Sequence, residues 1–463
     1  MTPNAFATVV LLAWPLAMGF LSILLPVRKV VILSIIGGNL FLPQTGIALP
    51  GFPNYTKPLA AGLGALLAAL ILAAPKLFSW KPKPIDLFFF AFLIAPGISS
   101  AMNGLGAWDA TSVSINRFLE WGVAYWIGRA LFQDQNAIKE IAVGFVLGGI
   151  AYAPLCIWES VMSPQLSHQI YGFRPSDFGM TKRMGGWRPM VFMQHGLAVG
   201  AWMASAALVA WILFRSKVIT KVSSIPMSVI ALGLVVVTIG LRSTGAALLL
   251  IGLIAAVEFV HATKLKLALL VLILLPTGYI GLRTLGWEGQ EMVQAAEIFG
   301  PDRAGSLEMR LENDTIIVER AMQRPVFGWG GWGRWRVRND AGVDITVSDS
   351  WWAILAGTTG IFGLIAAYGT FVAPLFILIK RKTQRQIFAG TQAAGWAIGF
   401  ALLLFVLDTL ANAMPNTSFM LAAGAMSSFV VNKQFRKRPT QQPNPNPQST
   451  TKPQQRKRIV DLR

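Results

Sequence analysis

Apolar stretches of about the length needed to cross a lipid bilayer recur along this chain, and they limit what it can fold into more than any other feature. A bilayer core of roughly 30 Å takes about 20 helical residues to cross. About thirteen spans are predicted, near 5–26, 30–42, 58–74, 85–99, 111–131, 138–159, 190–214, 225–241, 245–260, 267–285, 358–379, 393–411 and 417–431. A water-soluble fold of 463 residues would need a charged surface, yet 54% of the residues are hydrophobic and only 13% are charged. The expected fold class is therefore all-α, a polytopic transmembrane helical bundle of about 12–13 spans. The first block has no basic segment before it and no small-residue cleavage site after it. It reads as a retained helix rather than a leader peptide.

The net charge of +19 suggests nucleic acid at first sight, but its distribution argues otherwise. Residues 433–463 carry nine Lys/Arg and one Asp, a net of +8, which leaves +11 for the rest. That remainder falls mostly in short loops between apolar blocks, the pattern of membrane orientation, and no nucleic-acid partner is expected. Arg28 and Lys29; Lys76, Lys81 and Lys83; Arg129 and Lys139; Arg215, Lys217 and Lys221; Lys264 and Lys266; and Lys380, Arg381, Lys382 and Arg385 fall on alternate loops. This alternation predicts an N-terminus outside and a C-terminus in the cytoplasm. Cys156 is the only cysteine, which excludes an intrachain disulfide and a thiolate cluster.

The expected organisation is a transmembrane domain over residues 1–432 followed by a basic, disordered tail over 433–463, rich in Pro, Gln and Asn. Two outside segments are long, Ser160–Pro189 and Gly286–Ser350, and the second holds 11 of the 21 acidic residues and seven arginines. Loops of this length are uncommon unless they have work to do. Ser306–Arg324 reads as an amphipathic helix with Leu307, Leu311, Val318 and Met322 on one side, Glu308 in its first turn and Pro325 at its end.

Several polar residues at span ends are candidates for chemistry. Arg242, in Gly240-Leu-Arg-Ser-Thr-Gly245, and Arg188, before another span, are arginines where the positive-inside bias does not call for them. Each is either an interface arginine or an anion ligand. Arg310 lies four residues before Asp314, either as a surface helix pair or as a third member of a diphosphate clamp. Trp329 and Trp332, in a Gly/Trp turn ending at Gly333, are either membrane-interface anchors or stacking platforms for sugars. Asp349 precedes a span as an N-cap or a general base. Asp408 and Asn412, at i and i+4, share a helix face in or near a span, as an interhelix contact or a substrate contact. Arg117 and Glu120 read as a structural ion pair. The three histidines do not cluster, no P-loop, GxSxG or HExxH occurs, and no metal or cofactor is expected.

From Arg310 through Arg324-Pro-Val-Phe-Gly-Trp-Gly330 to Thr359-Gly-Ile-Phe-Gly363, with Arg242-Ser-Thr-Gly upstream, the sequence resembles the bacterial O-antigen ligase and O-antigen polymerase family. The specific match covers about 120 residues. The resemblance implies a multi-pass enzyme of the bacterial inner membrane. Such an enzyme transfers or polymerises a glycan from an undecaprenyl-diphosphate-linked donor onto an acceptor hydroxyl, on a glycan or a lipid, at the outer face. It implies catalytic roles for Arg242, Arg310 and the position of a family histidine, here Asp349-Ser350. That departure leaves Asp349 as the replacement base. Arg188, Trp329, Trp332, Asp408 and Asn412 are expected to bind substrate. The alternative is a transporter or flippase of a lipid-linked or anionic saccharide. A transporter would gather its polar residues at mid-membrane in repeated halves, and neither feature is found.

Overall fold

The computed structural model describes residues 2–432 other than 52, 348, 382–387 and 389. The predicted tail 433–463 and the orientation signals Lys382 and Arg385 lie outside the described residues. Each of the thirteen predicted stretches contains a helix, and the strands among the described residues form three hairpins of two-residue strands. Among the described residues, seven helices are long and apolar enough to cross a membrane: Ala5–Leu24, Lys57–Ser79, Gln135–Met162, Gly196–Ser216, Thr244–Thr263, Lys266–Thr284 and Trp351–Arg381. Four shorter apolar helices join them, Asp86–Met102, Met227–Gly240, Ala393–Asp408 and Thr417–Val431. The two other predicted stretches form helices over 27–41 and 106–131, interrupted by π-turns at Leu33–Gly37 and Phe118–Gly122.

The helices sort by what they face. Ala393–Asp408 and Thr417–Val431 are buried along nearly their whole length and form the centre of the bundle. Ala5–Leu24 and Lys266–Thr284 present Leu16, Ile23, Leu267 and Leu274 outward. Exposed aliphatic side chains along such helices suit acyl chains rather than water. Arg129, read from sequence as a loop cation, is instead buried in an ion pair with Asp86 at 2.9 Å. Tyr125 and Ser428 complete the group's hydrogen bonds. Arg117 stacks on Phe92, 4.7 Å from the ring centre, and the expected Arg117–Glu120 ion pair is absent among the described residues.

The long segment before Ser350 contains the expected amphipathic helix, but it starts five residues earlier, as Pro301–Met322. Gly300, at φ 102°, breaks the chain, Pro301 pre-sets the first helical residue, and Asp302 faces the positive end of the dipole. The buried stripe is broader than the apolar one read from sequence. Leu311 and Val318 are inside as predicted, joined by Ala304, Asp314, Ile317 and Ala321, whereas Met322 is exposed. A carboxylate therefore lies on the face expected to be wholly apolar.

After this helix the glycine-rich turn at 325–333 docks into a break in Trp351–Arg381. Gly360 leaves helical geometry (φ 64°, ψ −167°), and the freed backbone groups are met by the turn. Ile361 N–H donates to the Pro325 carbonyl at 2.8 Å, Trp329 N–H to Gly357 at 2.8 Å and Gly330 N–H to Thr358 at 3.0 Å. Ser99 and Asn103 donate to the Thr358 and Gly328 carbonyls. A Cβ at Gly360 would overlap the Val326 carbonyl, and one at Gly328 would come within 2.6 Å of the Thr358 backbone. Two glycines with positive φ thus allow two backbones to meet where a side chain has no room.

Candidate functional site

A cavity of about 540 Å³ opens at the end of the bundle beside the Pro301–Met322 helix. Arg183, Arg188, Arg303 and Arg310 line it together with Asp408 and Asn412. Its other walls are apolar and include Leu248, Leu249, Phe299 and Leu307. The cavity therefore combines a cluster of cationic side chains with an apolar wall.

The segment that carries two of these arginines is held by one carboxylate. Glu159, at the end of Gln135–Met162 and 1% exposed, accepts from the N–H groups of Gln165, Leu166, Met190 and Val191 at 2.7–3.1 Å. Between these anchors the chain forms a hairpin pairing Lys182–Arg183 with Gly186–Trp187. Met184 and Gly185 both have positive φ at its turn, as a tight two-residue hairpin requires. Arg188 follows directly and is buried. Burial first, and then the neighbouring Arg183, Arg303 and Arg310, pull its pKa down to about 10, so it stays protonated at neutral pH but strongly favours an anion.

Arg242 supports this arrangement rather than lining the cavity. It adopts φ 55° in the link between Met227–Gly240 and Thr244–Thr263. Its carbonyl accepts long contacts from Arg188 Nε and Nη2 at 3.4 Å. Its own guanidinium lies over Gly186 and donates to the Trp187 carbonyl at 3.2 Å.

Arg310 is the centre of a polar chain. Its Nη1 donates to the Ala411 carbonyl and to Asn412 Oδ1, both at 3.2 Å, and its Nε lies 3.4 Å from Asp349 Oδ2. Asn412 in turn donates to Asp408 Oδ1 at 2.8 Å. The other oxygen of Asp408 has no hydrogen-bond partner among the described residues. Asp349, the base expected from sequence, is 43% exposed at its side chain, is ion-paired with Arg310 and is not among the cavity-lining residues. No side-chain cap bond from it to the following helix is formed among the described residues. Trp329 and Trp332 line a different cleft, of about 610 Å³.

Two neighbours were not legible as site residues. Asp314 is buried behind Asp349 and accepts from Ser350 Oγ at 2.8 Å, with its second oxygen unpartnered. Burial is the main cause that pushes its pKa up to about 7. The sequence offered only its i,i+4 spacing from Arg310, which suggested a solvated pair. His195 caps Gly196–Ser216 through Nδ1, which accepts from Leu197 N–H at 3.1 Å. The predicted span at 190–214 accordingly begins only after it. Burial first, and then Arg188, Arg310 and Arg183, push its pKa down to about 4. It is therefore neutral at pH 7, with its proton on Nε2. The cue in sequence was its place directly before an apolar run beginning with Gly196.

No protein-family model matches the chain, and no curated protein matches it.

Proposed function

We propose that the chain is a membrane glycosyltransferase working at the outer face of a bacterial inner membrane, N-terminus outside and C-terminus cytoplasmic. It would take a glycan from an undecaprenyl-diphosphate-linked donor and join it to an acceptor hydroxyl. The observation that carries this reading is the pairing, in one cavity, of four arginines with an apolar wall. A polyprenyl diphosphate needs both surfaces at once. In the reaction the acceptor oxygen bonds to the anomeric carbon as the bond from that carbon to the diphosphate oxygen breaks. The electron pair leaves on the diphosphate, whose growing charge Arg188, Arg303 and Arg310 are placed to stabilise.

The acceptor proton needs a base. Asp408 is the carboxylate among the cavity-lining residues, so it takes that role here, in place of Asp349. Asp349 orients Arg310 through their ion pair. Arg242 positions Arg188 and its hairpin.

The test uses purified protein in nanodiscs with a labelled undecaprenyl-diphosphate oligosaccharide and an extract of the source membrane as acceptor. Arg310→Lys should slow release of undecaprenyl diphosphate about 10²-fold, since an ammonium cannot reproduce the forked contacts. Asp408→Asn should slow it by about 10²- to 10⁴-fold. Asp349→Asn should cost about tenfold or less, because Arg310 keeps Asn412 and the Ala411 carbonyl. Near-normal turnover by Asp408→Asn would move the base elsewhere. A wild-type protein that only carries the donor across the bilayer would replace the enzyme with a transporter.

A further inference from the structure

The second cleft, of about 610 Å³, lies on the other side of the same helix. Arg320, Arg334, Arg336 and Arg338 line it, with Trp329 and Trp332, against the single acid Glu319. It shares no lining residue with the arginine cavity. Among the described residues, Arg336 is the one of these four arginines with an ion pair, to Asp344 at 2.7 Å. Arg320 is pressed 3.4 Å over the Trp329 ring, and Arg324 lies 4.5 Å from it. The nearby cations Arg324 and Arg334 add to the burial that lowers the pKa of Arg320. Four arginines thus face the cleft against Glu319 and the Asp344 paired with Arg336, an excess of positive charge.

Trp332 completes the cleft in an unusual way. It has φ 60°, a conformation costly for a bulky residue, and its side chain is not buried in return, since the residue is 82% exposed. Its Nε1 donates to Asp109 Oδ1 at 2.7 Å, which fixes the ring's orientation. A fixed, exposed indole beside forked cations presents a flat face to the C–H side of a sugar ring and guanidinium pairs to carboxylates.

We propose that this cleft binds an acidic saccharide, one bearing uronate or comparable carboxylate groups. Resting on the transferase reading, the saccharide would be the acceptor or growing chain. Arg310 and Arg320 are ten residues apart on one helix, about 15 Å along its axis and on different faces, so a bound chain would have to run over several sugar units and round the helix to reach the diphosphate cavity.

The probe is tetragalacturonate, with maltotetraose as the neutral comparison, titrated onto full-length protein in phosphatidylcholine nanodiscs without donor. Tetragalacturonate should bind saturably, weaken with salt, and bind at least about tenfold more tightly than maltotetraose. Arg338→Ala and Trp332→Gly should each weaken it about tenfold or more. Trp332→Gly relieves the positive φ but removes the donor to the buried Asp109, so its melting temperature is measured alongside and binding is compared where both proteins are fully folded. No tetragalacturonate binding, equal binding of maltotetraose, or unchanged binding by both variants would overturn the proposal. So would variants that keep tetragalacturonate but lose co-purifying phosphatidylglycerol, counted by native mass spectrometry, since the patch would then be a lipid contact. Binding needs no donor, so the two readings fail separately. Lost transfer with retained binding refutes the transferase, and transfer without binding refutes the cleft.

Discussion

Asp314 shows how far a single residue can depart from what its neighbours in sequence suggest. Its spacing from Arg310 points to a solvated pair, yet the structure puts it among buried residues against Ser350. Since burial raises its pKa to about 7, the folded protein holds a proton there that the unfolded chain releases near pH 4. Stability from this group is greatest below the unfolded value and is lost as pH rises through about 7. Asp314→Asn should therefore flatten the decline in melting temperature between about pH 4 and pH 7 and raise stability above it. An unchanged pH profile would show that the carboxyl is already ionised in the folded state. The candidate residues that sequence identified best were those whose neighbours are sequential. Asp408 and Asn412 face one way because they are one helical turn apart, and their hydrogen bond follows. Arg242 and Asp349 were legible as residues out of place but not by orientation. A left-handed backbone in one case and an ion pair in the other decide where each side chain goes.

At the scale of elements, apolar length located the helices well because the bilayer sets that length whatever the tertiary contacts. Breaks within helices were less legible. Gly360 stands in an apolar run that reads as continuous, and only contact with 325–330, more than 30 residues away, makes its break favourable. The same contact explains why glycines occur in both motifs on which the family resemblance rests. Gly360→Ala should destabilise the protein by roughly 1–3 kcal/mol from backbone strain alone, more once the overlap with Val326 is included. Thermal unfolding in detergent should show this, with an equal loss for Gly328→Ala. A variant as stable as the parent would mean that the break closes into regular helix without cost.

For the whole molecule, the test of orientation is direct. A cysteine at Gly342 should react with an impermeant maleimide added outside intact cells, and one at Gln442 should react only after lysis. Cys156 is buried and should give little background. The reverse labelling would invert the topology and leave the arginine cavity facing the cytoplasm. The charge pattern behind this expectation is weaker by one member than it looked, because Arg129 is neutralised by Asp86 inside the bundle. The docked turn also bears on how the protein is made. Residues 325–330 leave the ribosome before the helix they wedge into, so their N–H and C=O groups await partners that do not yet exist. Docking of the turn is thus a late event in biogenesis, and a chain halted before Trp351 would lack the backbone partners of residues 325–330.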